Sequence, residues 1–161
     1  MKIITLFKLI YSIGKSMIKY DLHCHSTASD GVLTPTELVQ RAHEQGVNVL
    51  ALCDHDTVMG IDEAKIEAGK LGIELINGVE ISTNWEGRGI HIVGLNFDKT
   101  HPKMTALLAE QKSLREKRAV EIGHKLEKAG VPNAYEGAKA LANGEVTRAH
   151  YARYLVQIGK V

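Results

Sequence analysis

A chain of 161 residues is long enough for one ordinary domain and leaves little room for a second. With 44% hydrophobic and 24% charged residues it excludes disorder, collagen and coiled coil, and no apolar run approaches the roughly 20 residues that span a bilayer. The net charge of +1 conceals a division: residues 1–17 carry +3, residues 18–100 hold 6 basic and 13 acidic side chains, and residues 101–161 hold 11 basic and 6 acidic. The acidic block also holds His23, His25, His55 and His91 and suits cations, whereas the basic block suits anions.

Residues 1–17 read as a leader of doubtful order. A lysine start and a short apolar core outline a signal peptide, but Lys8 interrupts the run and Met17 offers a second start. The two cysteines cannot form the disulfide lattice of a small secreted domain, and unpaired they fit a reducing compartment, so a cytoplasmic protein is expected. From Ile18 strands and helices alternate. Ile18 to His25 predicts a strand, and Thr34-Pro35-Thr36-Glu37 is a capping box that starts a helix with Leu38, Val39 and Ala42 on its apolar side. Val47 to Cys53 is a nearly continuous apolar run, as in a strand buried on both faces. A helix is expected over Ile61 to Leu71, then strands over Ile73 to Ser82 and Gly89 to Asn96 joined by a loop from Asn84 to Arg88. Strands separated by such helices predict βαβ units and a parallel sheet. After Asp98 the texture becomes helical. A long charged helix is expected from Pro102 to Ala129, capped by Thr100, with Leu107, Leu108, Leu114, Ile122 and Leu126 as its apolar side. A short helix near Gly137 to Ala142 follows, then one over Arg148 to Ile158 capped by Thr147.

The chemistry concentrates in Asp21-Leu22-His23-Cys24-His25. Alternate residues of a strand share a face, so His23 and His25 can reach one ion while Cys24 points away. Asp30 follows on a Ser-Asp-Gly turn able to fold back over the strand end, Asp54-His55-Asp56 ends the second strand, Glu80 lies in the third and His91 in the fourth. Taken singly, Asp54 and Asp56 read equally as helix caps and Glu80 as a buried ion-pair partner. Together, imidazoles and carboxylates on four successive strands suit Zn, Mn or Fe at the carboxyl end of a sheet, where α/β active sites lie.

The segments D-L-H-C-H-S-x-x-S-D-G, D-H-D-T, G-V-E-I-S and H-I-V-G-L resemble the PHP (polymerase and histidinol phosphatase) superfamily, closest to its phosphoesterases acting on nucleotides. The resemblance implies an α/β fold, the N-terminal part of a distorted (β/α)7 barrel over residues 18–100, followed by a helical insertion over 101–161. It implies His23, His25, Asp30, His55, Glu80 and His91 as ligands of two to three divalent ions (Mn, with Zn, Fe or Mg as alternatives), with Glu80 bridging. It further implies that Thr147-Arg148-x-His150 helps hold the substrate phosphate or base, with Arg153 a further phosphate candidate on the same helix. Clustered dications would activate a bridging water against phosphorus, needing no protein nucleophile, with Asp54 or Asp56 orienting a ligand histidine. The implied substrates are 3′,5′-nucleoside bisphosphates or short RNA 5′ ends, with no membrane and no obligate protein partner.

The family's later A-H-P-like histidine and D-x-H pair have no counterpart before Val161. The chain therefore reads as the N-terminal part of a longer protein, the activity as the parent's, and the fragment alone as inactive. The rival readings are a non-catalytic metal-binding module and an inert fragment. Lys112, Arg115, Lys117, Arg118, Lys125 and Lys128 are interspersed with glutamates and read as a solvated helix face more readily than as a nucleic-acid track. Tyr151, Tyr154 and Trp85 are open between packing and ligand contact.

Overall fold

The computed structural model describes residues 17–142 and 144–161. Apart from Met17, the expected leader lies outside them. The elements in chain order are β1 (Tyr20–Cys24), α1 (Pro35–Glu44), β2 (Val49–Leu52), α2 (Ile61–Leu71), β3 (Glu74–Trp85), β4 (Arg88–Leu95), α3 (Pro102–Lys128), α4 (Ala134–Ala140) and α5 (Arg148–Gln157).

The four strands lie side by side in chain order. β1, β2 and β3 are parallel, with Val49 facing both Tyr20 and Glu74. The parallel expectation fails for β4, which runs antiparallel to β3 with Trp85 opposite Arg88. The connection explains this. Only Glu86 and Gly87 separate the strands, both at positive φ, and so short a link closes a hairpin but cannot cross back over a sheet. The expected five-residue loop is thus mostly ladder.

Helices α1 and α2 cover one face of β2. Thr34 caps α1 and Glu37 reciprocates, as the capping box predicts. Val39, Ala42, Leu50, Leu52, Ile61, Ala64 and Ala68 make the first apolar core. Residues of β2 are buried throughout, as a strand covered on both faces requires.

A second, smaller core joins α3, α4 and α5 through Val131, Ala134, Ala138 and Tyr151. The Tyr151 hydroxyl donates to the Ala119 carbonyl at 2.6 Å, and Tyr154 packs in the same cluster, so both tyrosines are packing residues. Trp85 stands two-thirds exposed at the hairpin end. Two helix expectations are corrected. His101, not Thr100, caps α3 by accepting from the Lys103 N–H, because Thr100 is held in a turn on the Asp98 carboxylate. Leu114 is half exposed, since the buried row of α3 runs Arg115, Ala119, Gly123 at four-residue spacing. No helix among the described residues is long and apolar enough to cross a membrane.

Candidate metal centre and its arginine-lined cavity

The carboxyl edge of the sheet gathers the histidines. Cys24 turns inward and donates its thiol to the Ala51 carbonyl at 3.1 Å, leaving His23 and His25 on the other face. Their Nε2 atoms lie 3.1 Å apart. The chain then folds back through a tight turn in which the Ser29 and Gly31 N–H groups donate to the Ser26 carbonyl. A Cβ at residue 31 would sit 2.4 Å from the His25 carbonyl oxygen, so only glycine permits the approach that brings Asp30 over the strand end. Asp30 reaches within 3.8 Å of His25 Nδ1 and 3.7 Å of His55 Nε2.

Beyond Leu52 the β2 and β3 backbones part, and they rejoin at one bridge between His55 and Glu80. Glu80 N–H donates to the Asp54 carbonyl and Asp56 N–H to the Glu80 carbonyl. β3 thereby carries Glu80 past the end of the parallel sheet, and the hairpin returns His91 beside it. Glu80 Oε2 lies 2.7 Å from His23 Nε2 and 3.1 Å from His25 Nε2, while Oε1 lies 2.8 Å from His91 Nδ1.

All six side chains expected as ligands converge. They form three overlapping triads: His23, His25 and Glu80; His25, Asp30 and His55; His55, Glu80 and His91. Spacings of 2.7 to 3.1 Å between the donor atoms of the first triad approach the roughly 3.0–3.4 Å edge of a coordination shell with bonds of about 2.1 Å. The Nδ1 atoms of His25 and His55 are buried with no hydrogen-bond partner, and each faces a carboxylate of the cluster. Burial pushes the His55 imidazole down to about 4 against the pull of Asp30, so the ring is neutral with its lone pair free at pH 7. Burial alone would raise the Glu80 carboxyl, but the hydrogen bonds from His23 and His91 help hold it below its ordinary value. A neutral His55 imidazole and an ionised Glu80 carboxylate fit a divalent metal.

Neither Asp54 nor Asp56 hydrogen-bonds a histidine, which corrects the expected orienting role. Asp54 is buried and accepts from Ser26 N–H at 2.7 Å, Ser26 hydroxyl at 2.6 Å and Ser29 hydroxyl at 2.6 Å, fixing the turn that presents Asp30. Burial raises its carboxyl above the ordinary value against these three bonds. Asp56 accepts from Ser82 N–H at 2.7 Å and from Arg115 Nε.

On the helical side, Arg148 lines a cavity of about 190 Å³ together with Asp30, His55, His91, Arg115 and Arg118. Arg153 donates to the Asp30 carbonyl at 3.1 Å. His150 caps α5: its Nδ1 accepts from Thr147 N–H at 3.0 Å, and it lines neither cavity. Arg115 and Arg118 are the residues the charge pattern concealed. Arg115 is only 7% exposed, and the signal was the small residues Ala119 and Gly123 four and eight positions on, which mark a buried row. A larger cavity of about 480 Å³ shares Ala119 and Val146 with the first and is lined also by Pro35, Met59, Lys112 and Tyr135.

Sheet, helices and histidine–carboxylate cluster together define an α/β domain with a candidate metal site at the carboxyl edge of its sheet. The chain belongs to the PHP domain family, which matches residues 21–158. It is 87% identical over 143 residues to a 5′-3′ exoribonuclease of Haemophilus influenzae, covering 89% of this chain and 52% of that protein. It is 42% identical over 147 residues to a 3′,5′-nucleoside bisphosphate phosphatase of Chromobacterium violaceum, covering 90% and 52%. A solved structure of an amidohydrolase from Chromobacterium violaceum, with bound sulfate and no metal, superposes with a TM-score of 0.85 at 41% identity, covering 89% and 51%. The chain spans about half the length of the curated relatives it matches.

Proposed function

We propose that the protein is a metal-dependent phosphoesterase acting on nucleotides, with 3′,5′-nucleoside bisphosphates or short RNA 5′ ends as substrates. The observation that carries this reading is the shared wall. Asp30, His55 and His91 belong both to the triads and to the cavity lined by Arg115, Arg118 and Arg148, so a phosphate in that cavity touches cations on one side and the metal centre on the other. The names of the two curated relatives support nucleotide and RNA substrates.

The six triad residues would hold two to three divalent ions, Mn²⁺ first, with Zn, Fe or Mg as alternatives. When bound, these ions supply the Lewis acidity that polarises a phosphoryl oxygen and acidifies water. Three protein donors per triad leave positions open to water and phosphate. Arg118 and Arg148 receive the non-bridging phosphate oxygens, and Arg153 steadies the Asp30 turn. The larger cavity accommodates the nucleoside, with Tyr135 and Met59 as its apolar contacts. Neither thiol serves as a nucleophile: burial pushes Cys24 up and Cys53 up to about 12.

The test is phosphate release from adenosine 3′,5′-bisphosphate with Mn²⁺, on this chain and on the chain extended to its relatives' length. Turnover by the extended chain, abolished by His25→Ala and by Glu80→Ala, supports the reading. Full activity in both variants, or turnover by neither chain, overturns it.

A further inference from the structure

Arg115 comes from the inserted helix α3, yet its guanidinium ends among the metal-bearing strands. Nε donates to Asp56 and Nη2 donates to the Ser82 hydroxyl at 3.0 Å. Asp56 closes the ring by accepting the Ser82 N–H at 2.7 Å. Both partners of Arg115 sit on the supports of one triad. Asp56 follows His55 in the chain, Ser82 follows Glu80 by two residues on the same face of β3, and Ser82 lies directly opposite His91 in the β3–β4 ladder.

The support needs such a brace. Past Leu52 the two backbones are joined only at the His55–Glu80 bridge. Asp56 itself adopts φ +53°, a left-handed conformation that costs a non-glycine residue free energy unless its surroundings impose it. Asp56 is 2% exposed and Arg115 7%, so the pair acts where solvent screens it little. Glu145 offers Arg115 a second carboxylate at 3.9 Å, too far for a hydrogen bond.

We propose that Arg115 is a positioning residue for the metal centre, clamping the His55 loop to the Glu80–His91 hairpin through Asp56 and Ser82. The clamp makes ion binding at the His55–Glu80–His91 triad dependent on the docking of α3, while the His23–His25–Glu80 triad, two of whose three donors stand on β1 or directly after it, depends on it less. The inference rests on the metal-centre reading above. By linkage the dependence is mutual: an ion at that triad stabilises the docked α3.

The experiment is Mn²⁺ titration of the 161-residue chain, followed by calorimetry and by electron paramagnetic resonance of free Mn²⁺, with thermal melts of the metal-free proteins. Removing a supporting partner of a ligand typically costs 10- to 100-fold in affinity, so Arg115→Met is expected to weaken the class of site built on His55, Glu80 and His91 by about tenfold or more and the other class by less. Arg115→Met alone strands the Asp56 charge and could unfold the chain, so the paired Asp56→Asn/Arg115→Met variant is measured beside it. Expected there is a melt restored toward the parent's with Mn²⁺ affinity still reduced at the one class. Wild-type affinity in either variant overturns the inference. So does an equal loss at every site, or recovery of affinity together with the melt, either of which would make Arg115 a merely structural residue. Absence of Mn²⁺ binding by the unmodified chain would instead bring down the metal-centre reading, and this inference with it.

Discussion

Glu80 divides its carboxylate between two strands, with Oε2 2.7 Å from His23 Nε2 on β1 and Oε1 2.8 Å from His91 Nδ1 on β4. One side chain therefore belongs to two triads. Glu80→Gln preserves the shape and removes the charge. Mn²⁺ affinity is expected to fall at both triads by more than the roughly 10- to 100-fold lost with an outer partner. The His25–Asp30–His55 triad should retain its ion. Metal content per chain after gel filtration, measured by mass spectrometry, checks this: an unchanged content would show that Glu80 holds no ion.

Asp54 holds the turn before Asp30 by three hydrogen bonds, all buried. Asp54→Ala strands two serine hydroxyls and a backbone N–H, and should destabilise the metal-free chain by about 2–4 kcal/mol. A urea midpoint within experimental error of the parent would show that the turn is held otherwise.

Gly31→Ala tests the same turn from the backbone side. The added methyl meets the His25 carbonyl and the Ser26 backbone, which cannot yield as a side-chain tip would. The expected cost is roughly 1–3 kcal/mol, with weaker Mn²⁺ binding at the triad that includes Asp30. Retained affinity in a folded variant would mean that Asp30 does not need this approach.

The His55 imidazole, lowered by burial to about 4 from its ordinary 6.5, sets a pH dependence. Between these values the unfolded chain holds the proton and the folded chain does not, so the unfolded state binds more protons and stability rises with pH. This contribution is lost as pH falls from about 6.5 toward 4 and complete above that window. Metal-free protein should show a urea midpoint that climbs across it, with a shallower climb in His55→Asn. Equal slopes in the two proteins would locate the dependence elsewhere.

Much of this was legible in the sequence because the informative residues are local. The capping box at Thr34 to Glu37, the apolar run around Leu50 and the glycine after Leu71 each fix an element through its own neighbours. The H-x-H pair placed two imidazoles on one face because strand periodicity requires it. What escaped depends on distance. The direction of β4 follows from a hairpin tighter than the Asn84–Arg88 polarity suggested. The burial of Arg115 depends on Asp56, 59 residues away, and a helix written in alternating charges gives no sign of such a partner. Asp56 escaped for the same reason: its carboxylate serves the backbone of Ser82 rather than the adjacent histidine.

The proposed function requires His23, His25, Asp30, His55, Glu80 and His91 to form a multi-ion centre. It is tested most directly by crystals grown with Mn²⁺ and measured at the Mn absorption edge. Anomalous peaks within bonding distance of His23, His25 and Glu80, and at one or both of the triads that share His55, are the expected result. Manganese-loaded crystals with no anomalous peak among these side chains would contradict it.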